Sequence, residues 1–185
     1  MNIFAVDDDP EIAATMLCDQ HVVKMPLENC QMFSAVMDIL YKDSAKGSDA
    51  KKTGLVHQTW GMPGYPKSVK KHPCTLWILE SVENWLWLLA HHRALLTEYT
   101  KRYGKTHKYD TSPMIFHSQK HWMNLVEKPL TKFANATPYK DIDNVIEAYR
   151  LFYCKDKSRF ARWKYTDQPS WFSNLHRPEV DESAN

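Results

Sequence analysis

Between Leu17 and Leu40 the chain reads LCDQHVVKMPLENCQMFSAVMDIL, and apolar residues recur there with the 3.6-residue period of a helix. Val22, Val23, Met25, Leu27, Phe33, Val36, Met37 and Leu40 cover most of the circumference, which predicts a helix buried over most of its surface. One stripe breaks the pattern. His21, Lys24, Glu28 and Gln31 follow one another at spacings of three, four and three, so a helix presents them on a single face. Pro26 lies inside the run, where it removes a backbone donor and crowds the preceding turn, and this predicts a kink two residues before Glu28.

The rest of the chain punctuates itself clearly in places. Asp7 to Asp9 followed by Pro10 reads as an N-cap with proline at the first helical position; that helix either stops near Cys18 or continues into the stretch above. From Lys42 to Lys71 the periodicity dissolves into a long Gly-, Pro-, Ser- and Lys-rich loop carrying His57, Trp60 and Tyr65. Its aromatics either stack on bases or pack back onto the core. His72-Pro73 opens the longest predicted helix, running to Gly104 as its C-cap after a basic last turn. Glu80 and Asn84 stand one turn apart within its apolar run and need partners, either a structural hydrogen bond to a neighbour or a place in a site. Residues 105–140 predict loop, one short helix around Phe116 to Val126, then loop; His117 and His121 there stand at i, i+4 without a third metal ligand. Asp141 or Asp143 caps a further helix, NVIEAYRLFYCKDK. A basic aromatic segment, SRFARWKYTDQPSWFSNLHRP, follows, and a polar tail from about residue 177 is expected to fray. No strand-like alternation of useful length occurs, so the expected class is all-α, a single helical domain over residues 1–185.

Composition supports a real core, with 43% apolar and 12% aromatic residues in 185. No apolar run is long enough for a membrane span, and the acidic start MNIFAVDDDP lacks the apolar region of a signal peptide, so the expected location is the cytoplasm, with no membrane partner. Four widely spaced cysteines then read as reduced thiols. Charge alters the picture most. Residues 1–66 carry five Lys/Arg against nine Asp/Glu, whereas residues 67–185 carry nineteen against thirteen. The downstream cations cluster as Lys67, Lys70, Lys71 and His72, as Lys101, Arg102, Lys105, His107 and Lys108, and as Arg159, Arg162 and Lys164, interleaved with aromatics. Each cluster alone reads as a solvated surface; together with Tyr, Trp and Phe they suit phosphate neutralisation and base stacking, with DNA as the expected partner. No nucleotide-phosphate motif and no convincing metal set occurs, and neither cofactor nor metal is expected.

Two segments carry a resemblance. Asp19-Gln20-His21, with Glu28 seven residues after the histidine, resembles the start of the phage pyrimidine-dimer DNA glycosylases of the endonuclease V type, which are small all-α base-excision enzymes. Pro169-Ser170-Trp171-Phe172 resembles that family's C-terminal aromatic run. The chain is also similar to phage proteins that begin MNIF and carry the HVVKM…E helix, a HPC…W helix and a C-terminal Trp-Phe.

The resemblance implies a bifunctional reaction in which an amine attacks C1′ of the damaged nucleotide, the base leaves, and the resulting imine undergoes β-elimination. Glu28 matches the family's catalytic glutamate and His21 a histidine near the scissile site. The family's nucleophile is an N-terminal α-amine, a group with a pKa of roughly 8 against about 10.4 for lysine. The family exposes a small threonine, whereas Asn2 here leaves the amine on Met1, with a longer spacing to the histidine. Lys24, one turn before Glu28, is the alternative amine; its other reading is a simple Lys24–Glu28 ion pair. The arginines that flank the family's glutamate have no counterpart beside Glu28, which leaves Lys67, Lys70, Lys71, Arg102, Lys105, Arg159, Arg162 and Trp171 as the expected DNA contacts. Three functions stay open: a glycosylase with or without lyase activity on a flipped pyrimidine, an enzyme that modifies such a base without strand cleavage, and a non-catalytic nucleic-acid or host-protein binding module.

Overall fold

The computed structural model of the chain describes residues 1–40, 63–110 and 125–174. The regular elements in order are α1 (Pro10–Met16), α2 (Asp19–Leu40), a 3-10 turn (Lys67–Lys71), α3 (Pro73–Glu80), α4 (Val82–Tyr103), α5 (Val145–Phe152), a π turn continuing it (Tyr153–Lys157), and α6 (Ser170–Asn174). The fold is all-α.

Local chemistry sets most of the element ends. Asp9 caps α1 by accepting the Glu11 and Ile12 N–H groups, with Pro10 in the first turn. Leu17 then turns extended, so α1 ends and α2 starts afresh at Asp19, running through Pro26 to Leu40. The stretch from His72 to Gly104 is two helices rather than the single one expected. Ser81 adopts an extended backbone, its hydroxyl accepts the Asn84 N–H to cap α4, and the Val82 N–H released by the break goes to the Val126 carbonyl. Gly104 closes α4 at φ 63°, the left-handed conformation glycine adopts without strain. Asn144, not Asp141 or Asp143, caps α5, its side-chain oxygen accepting from Ile146 and Glu147. Of the expected helix around Phe116 to Val126, residues 116–124 lie outside the described residues, as do His57, Trp60, His117, His121 and the tail from 177; Leu125 and Val126 are not helical.

Helix α4 is the spine of the packing. It runs antiparallel to α2, with Asp19 against Arg102 at one end and the Phe33 ring 4.6 Å from Trp85 at the other. One hydrophobic cluster extends from Ile3 to Phe172 and includes Trp77, Trp85, Tyr149 and Tyr153; each such fully buried large side chain contributes roughly 1.5–3 kcal/mol or more. All four cysteines are unpaired and buried. Glu80 and Asn84 serve structure. The Asn84 amide donates to the Trp77 carbonyl and to Thr131 Oγ1 and accepts the Thr131 N–H, while Glu80 accepts from the Thr131 hydroxyl.

The N-terminal residues are part of the core, not a lead-in to it. Asn2 to Val6 are all buried. Phe4 holds φ 44°, a conformation costing a non-glycine residue about 1–3 kcal/mol. Its ring offsets that strain by stacking on His21 at 4.3 Å and on Phe152 at 6.0 Å, with Tyr153 edge-on at 5.2 Å. The bend this creates turns residues 1–3 toward α2 and α3.

Candidate active site

Glu28 projects from the middle of α2 and is 7% exposed. A buried carboxylate needs compensating donors, and this one has three nitrogens. Lys24 Nζ lies 2.9 Å from Oε1, the Asn2 N–H donates to Oε2 at 3.2 Å, and the Met1 α-amine lies 3.8 Å from the same oxygen. Both amines named by the sequence therefore reach Glu28. Their surroundings differ: the Met1 side chain is 11% exposed and that of Lys24 is 64% exposed. Desolvation is the ordinary way to make a lysine nucleophilic at neutral pH, and Lys24 lacks it. Its contact with Glu28 is an i,i+4 helix pair, a type worth about 0.2–0.5 kcal/mol.

The main chain of residues 1–3 is held group by group. Asn2 sends its amide to the Ala136 carbonyl at 3.5 Å and accepts the Phe4 N–H at 3.1 Å. His72, which the sequence placed in a basic cluster and at the start of the longest predicted helix, is an electrostatic neighbour of this segment. Its Nδ1 accepts the Cys74 N–H at 3.2 Å, making it the N-cap of α3. The ring lies within the field of the α-amine, Glu28 and Lys140. Half-burial first, and the α-amine second, pull its pKa below the ordinary histidine value. A signal for His72 was present: a histidine directly before a helix-opening proline occupies a capping position usually held by Ser, Thr, Asp or Asn.

His21 shares the stripe but not the carboxylate. It is buried against Phe4, Tyr153 and Phe160, and its Nδ1 is hydrogen-bonded to the Tyr153 hydroxyl. Burial, helped by Lys24 and Lys157, lowers its pKa to about 3, so the ring is neutral at physiological pH. It braces the bent segment through Phe4. Gln31, the last residue of the stripe, donates to the Gly64 carbonyl.

The expected DNA contacts divide. Lys67 and Lys71 are exposed on the 3-10 turn that leads directly into His72, while Lys70 is half-buried and lies 3.6 Å from Asp38. Lys105 is exposed just beyond α4, and Arg159 is exposed over the Phe160 ring. Arg162 is exposed, but its guanidinium donates to the Ser158, Arg159 and Ala161 carbonyls and so finishes the π turn. Arg102 must be corrected. Its side chain is fully buried, and its N–H groups are taken by Glu98, Asp19, Leu17 O and Thr15 O, leaving it no route to a phosphate. Trp171 must be corrected as well: it is 9% exposed, donates to Met16 Sδ and packs on Tyr153, so it anchors the C-terminal segment in the core rather than presenting a ring to bases. Two cations outside the sequence clusters act electrostatically on the histidines of this region, Lys140 on His72 and Lys157 on His21. Neither stands in a basic run that would have marked it.

A family model described as pyrimidine dimer DNA glycosylase matches residues 1–111. The chain belongs to the pyrimidine dimer DNA glycosylase family. The match takes in Met1, His21, Lys24, Glu28 and His72 and ends before α5, so the Trp171-Phe172 ending lies outside it. By family the chain is a DNA glycosylase and its substrate is DNA. No curated protein and no solved structure matches the chain. Among the described residues no group of three or more His, Cys, Asp or Glu gathers as a metal site would require, and no helix is long and apolar enough to cross a membrane.

Proposed function

We propose that this member of the pyrimidine dimer DNA glycosylase family excises a damaged or modified pyrimidine through the α-amine of Met1 and then cleaves the strand as a lyase, acting in the cytoplasm. The observation that carries the proposal is the 3.8 Å approach of the Met1 amine to Glu28 in a largely buried setting. The free amine attacks C1′ of the flipped nucleotide, and the C1′–base bond breaks with its electron pair leaving on the base, which takes up a proton. Glu28 offsets positive charge developing at C1′ and accepts a proton from the attached nitrogen. Opening of the C1′–O4′ bond gives the imine. Loss of a C2′ proton then expels the 3′ phosphate, which is β-elimination. Glu28 is close enough to the amine to act at each proton transfer without a change of fold.

An N-terminal extension separates this reading from one centred on Lys24. Extending the chain by Gly-Ser moves the α-amine away from Glu28 and is expected to abolish nicking of duplexes that hold a thymine dimer or an abasic site, while Lys24→Ala retains it. If the extended protein nicks as well as the parent, Met1 is not the nucleophile. Bases altered in mass without nicking would support a modifying enzyme instead, and unchanged DNA would support a binding module.

A further inference from the structure

We infer that Asn2 is a positioning residue that fixes the peptide behind the Met1 α-amine, so that the amine stays against Glu28. The inference deepens the proposal above and rests on its assignment of Met1 as nucleophile. Three hydrogen bonds carry it. The Asn2 N–H donates to Glu28 Oε2 at 3.2 Å, its Oδ1 accepts the Phe4 N–H at 3.1 Å, and its Nδ2 donates to the Ala136 carbonyl at 3.5 Å. Asn2 is 5% exposed, so little water competes for these bonds. The bond to Phe4 closes a turn of the kind asparagine makes with the backbone two residues on, and it leads the chain into the left-handed conformation of Phe4 at φ 44°. The anchor at Ala136 is itself tied down. The Tyr149 hydroxyl of α5 accepts the Ala136 N–H at 3.3 Å and donates to the Ala134 carbonyl at 2.7 Å. Asn2 is therefore held through its main chain by α2 and through its side chain by a segment bound to α5.

The grip matters because the α-amine is the end of a chain. Once the planar peptide between Met1 and Asn2 is fixed, a single torsion, about the Met1 Cα–C bond, decides where the amine lies. A lysine nitrogen is placed by a flexible four-carbon stem instead, and Lys24 is 64% exposed. Holding a nucleophile in one position is worth far more than a single contact. Asparagine suits both duties of the side chain, since its short amide carries an acceptor for Phe4 and a donor for Ala136. Leucine offers similar bulk with neither group. Glutamine carries both on a stem one methylene longer, too long to close the same turn.

The test frees the terminus without shortening it. Leucine and glutamine, like asparagine, are large enough as second residues to leave Met1 in place, which the intact mass checks, and a thermal melt checks the fold. In DNA-free Asn2→Leu, acetylation of the Met1 amine by an N-hydroxysuccinimide ester, mapped by peptide mass spectrometry, should run several-fold faster than in the parent, with the lysines unchanged, since the amine leaves its largely buried place against Glu28. Borohydride trapping on a saturating abasic duplex should slow by about 10- to 100-fold at unchanged DNA affinity. Acetylation at the parental rate in a folded variant would overturn the inference, as would trapping at the parental rate where the parent traps on Met1. Should Asn2→Leu fail to fold, Asn2→Gln, which keeps the polar groups but not their reach, gives the same readouts. If the parent itself traps nothing on Met1, the assignment of the nucleophile falls, while the acetylation contrast still decides whether Asn2 holds the terminus.

Discussion

Replacing Glu28 by glutamine removes a charge and little else, and the structure says what that separates. The amide oxygen can still accept the Asn2 N–H now bound at 3.2 Å, so the N-terminal segment keeps its path. What is lost is the attraction to Lys24 at 2.9 Å and to the Met1 amine at 3.8 Å. Opposite charges about 4 Å apart attract by roughly 1 kcal/mol in water and about 4 kcal/mol at an effective dielectric constant near 20. Desolvation of the carboxylate opposes that gain and is relieved in the variant, so the net change in stability should stay within about 1–2 kcal/mol, a shift of only several degrees in melting temperature for a chain of this size. Turnover should fall much further. A positioned carboxylate that moves protons in the transition state contributes about 10²- to 10⁴-fold, and no other carboxylate is found within reach of the Met1 amine among the described residues. The assay pairs single-turnover cleavage of an abasic duplex with equilibrium binding and a thermal melt. Turnover lost at near-parental melting temperature and DNA affinity is the expected result. Retained turnover, or a collapse of the fold with loss of everything together, would refute the reasoning.

Three further outcomes follow from residues around the site. His21, His91 and His92 are each lowered to about 3, chiefly by burial, so they contribute stability above the unfolded histidine value of about 6.5 that drains away as pH falls from there toward 3, at up to about 1.4 kcal/mol per pH unit each; urea unfolding across that range should show it, and His91→Gln with His92→Gln should flatten the slope. Arg102→Ala should destabilise by about 3–5 kcal/mol, because it strands the buried Asp19 and Glu98 carboxylates; a stable variant with weakened DNA binding would contradict the structural role given to it. Lys71→Ala and Lys140→Ala should each reduce the slope of log affinity against log salt by about 0.9, measured by fluorescence anisotropy, and an unchanged slope would remove them from the DNA footprint.

What could be read in the sequence was what depends on near neighbours. The Asp9-Pro10 start, the Gly104 stop and the α2 stripe each rest on contacts within a few residues, and each appears in the structure. The break at Ser81 was hidden because the apolar periodicity continues across it and no glycine or proline marks it; the Val82 N–H that it releases is taken by the Val126 carbonyl, far along the chain. Charge runs were the least reliable guide. Arg102 sits in the largest basic cluster and is buried, since nothing local announces that Asp19 waits for it. The site was half legible for the same reason. Glu28, Lys24 and His21 share a helix, so their spacing places them together, whereas Met1 arrives only because the strained Phe4 turns the chain, and His72 only because α3 starts beside it. Neither event leaves a trace in periodicity.

The most direct measurement is the position of the covalent adduct. Incubation with an abasic duplex, reduction by borohydride and peptide mapping by mass spectrometry should find the sugar on the α-amine of Met1, with Lys24→Ala giving the same yield. An adduct on Lys24, or none on any residue while the duplex is bound, would contradict the account built on the approach of Met1 to Glu28.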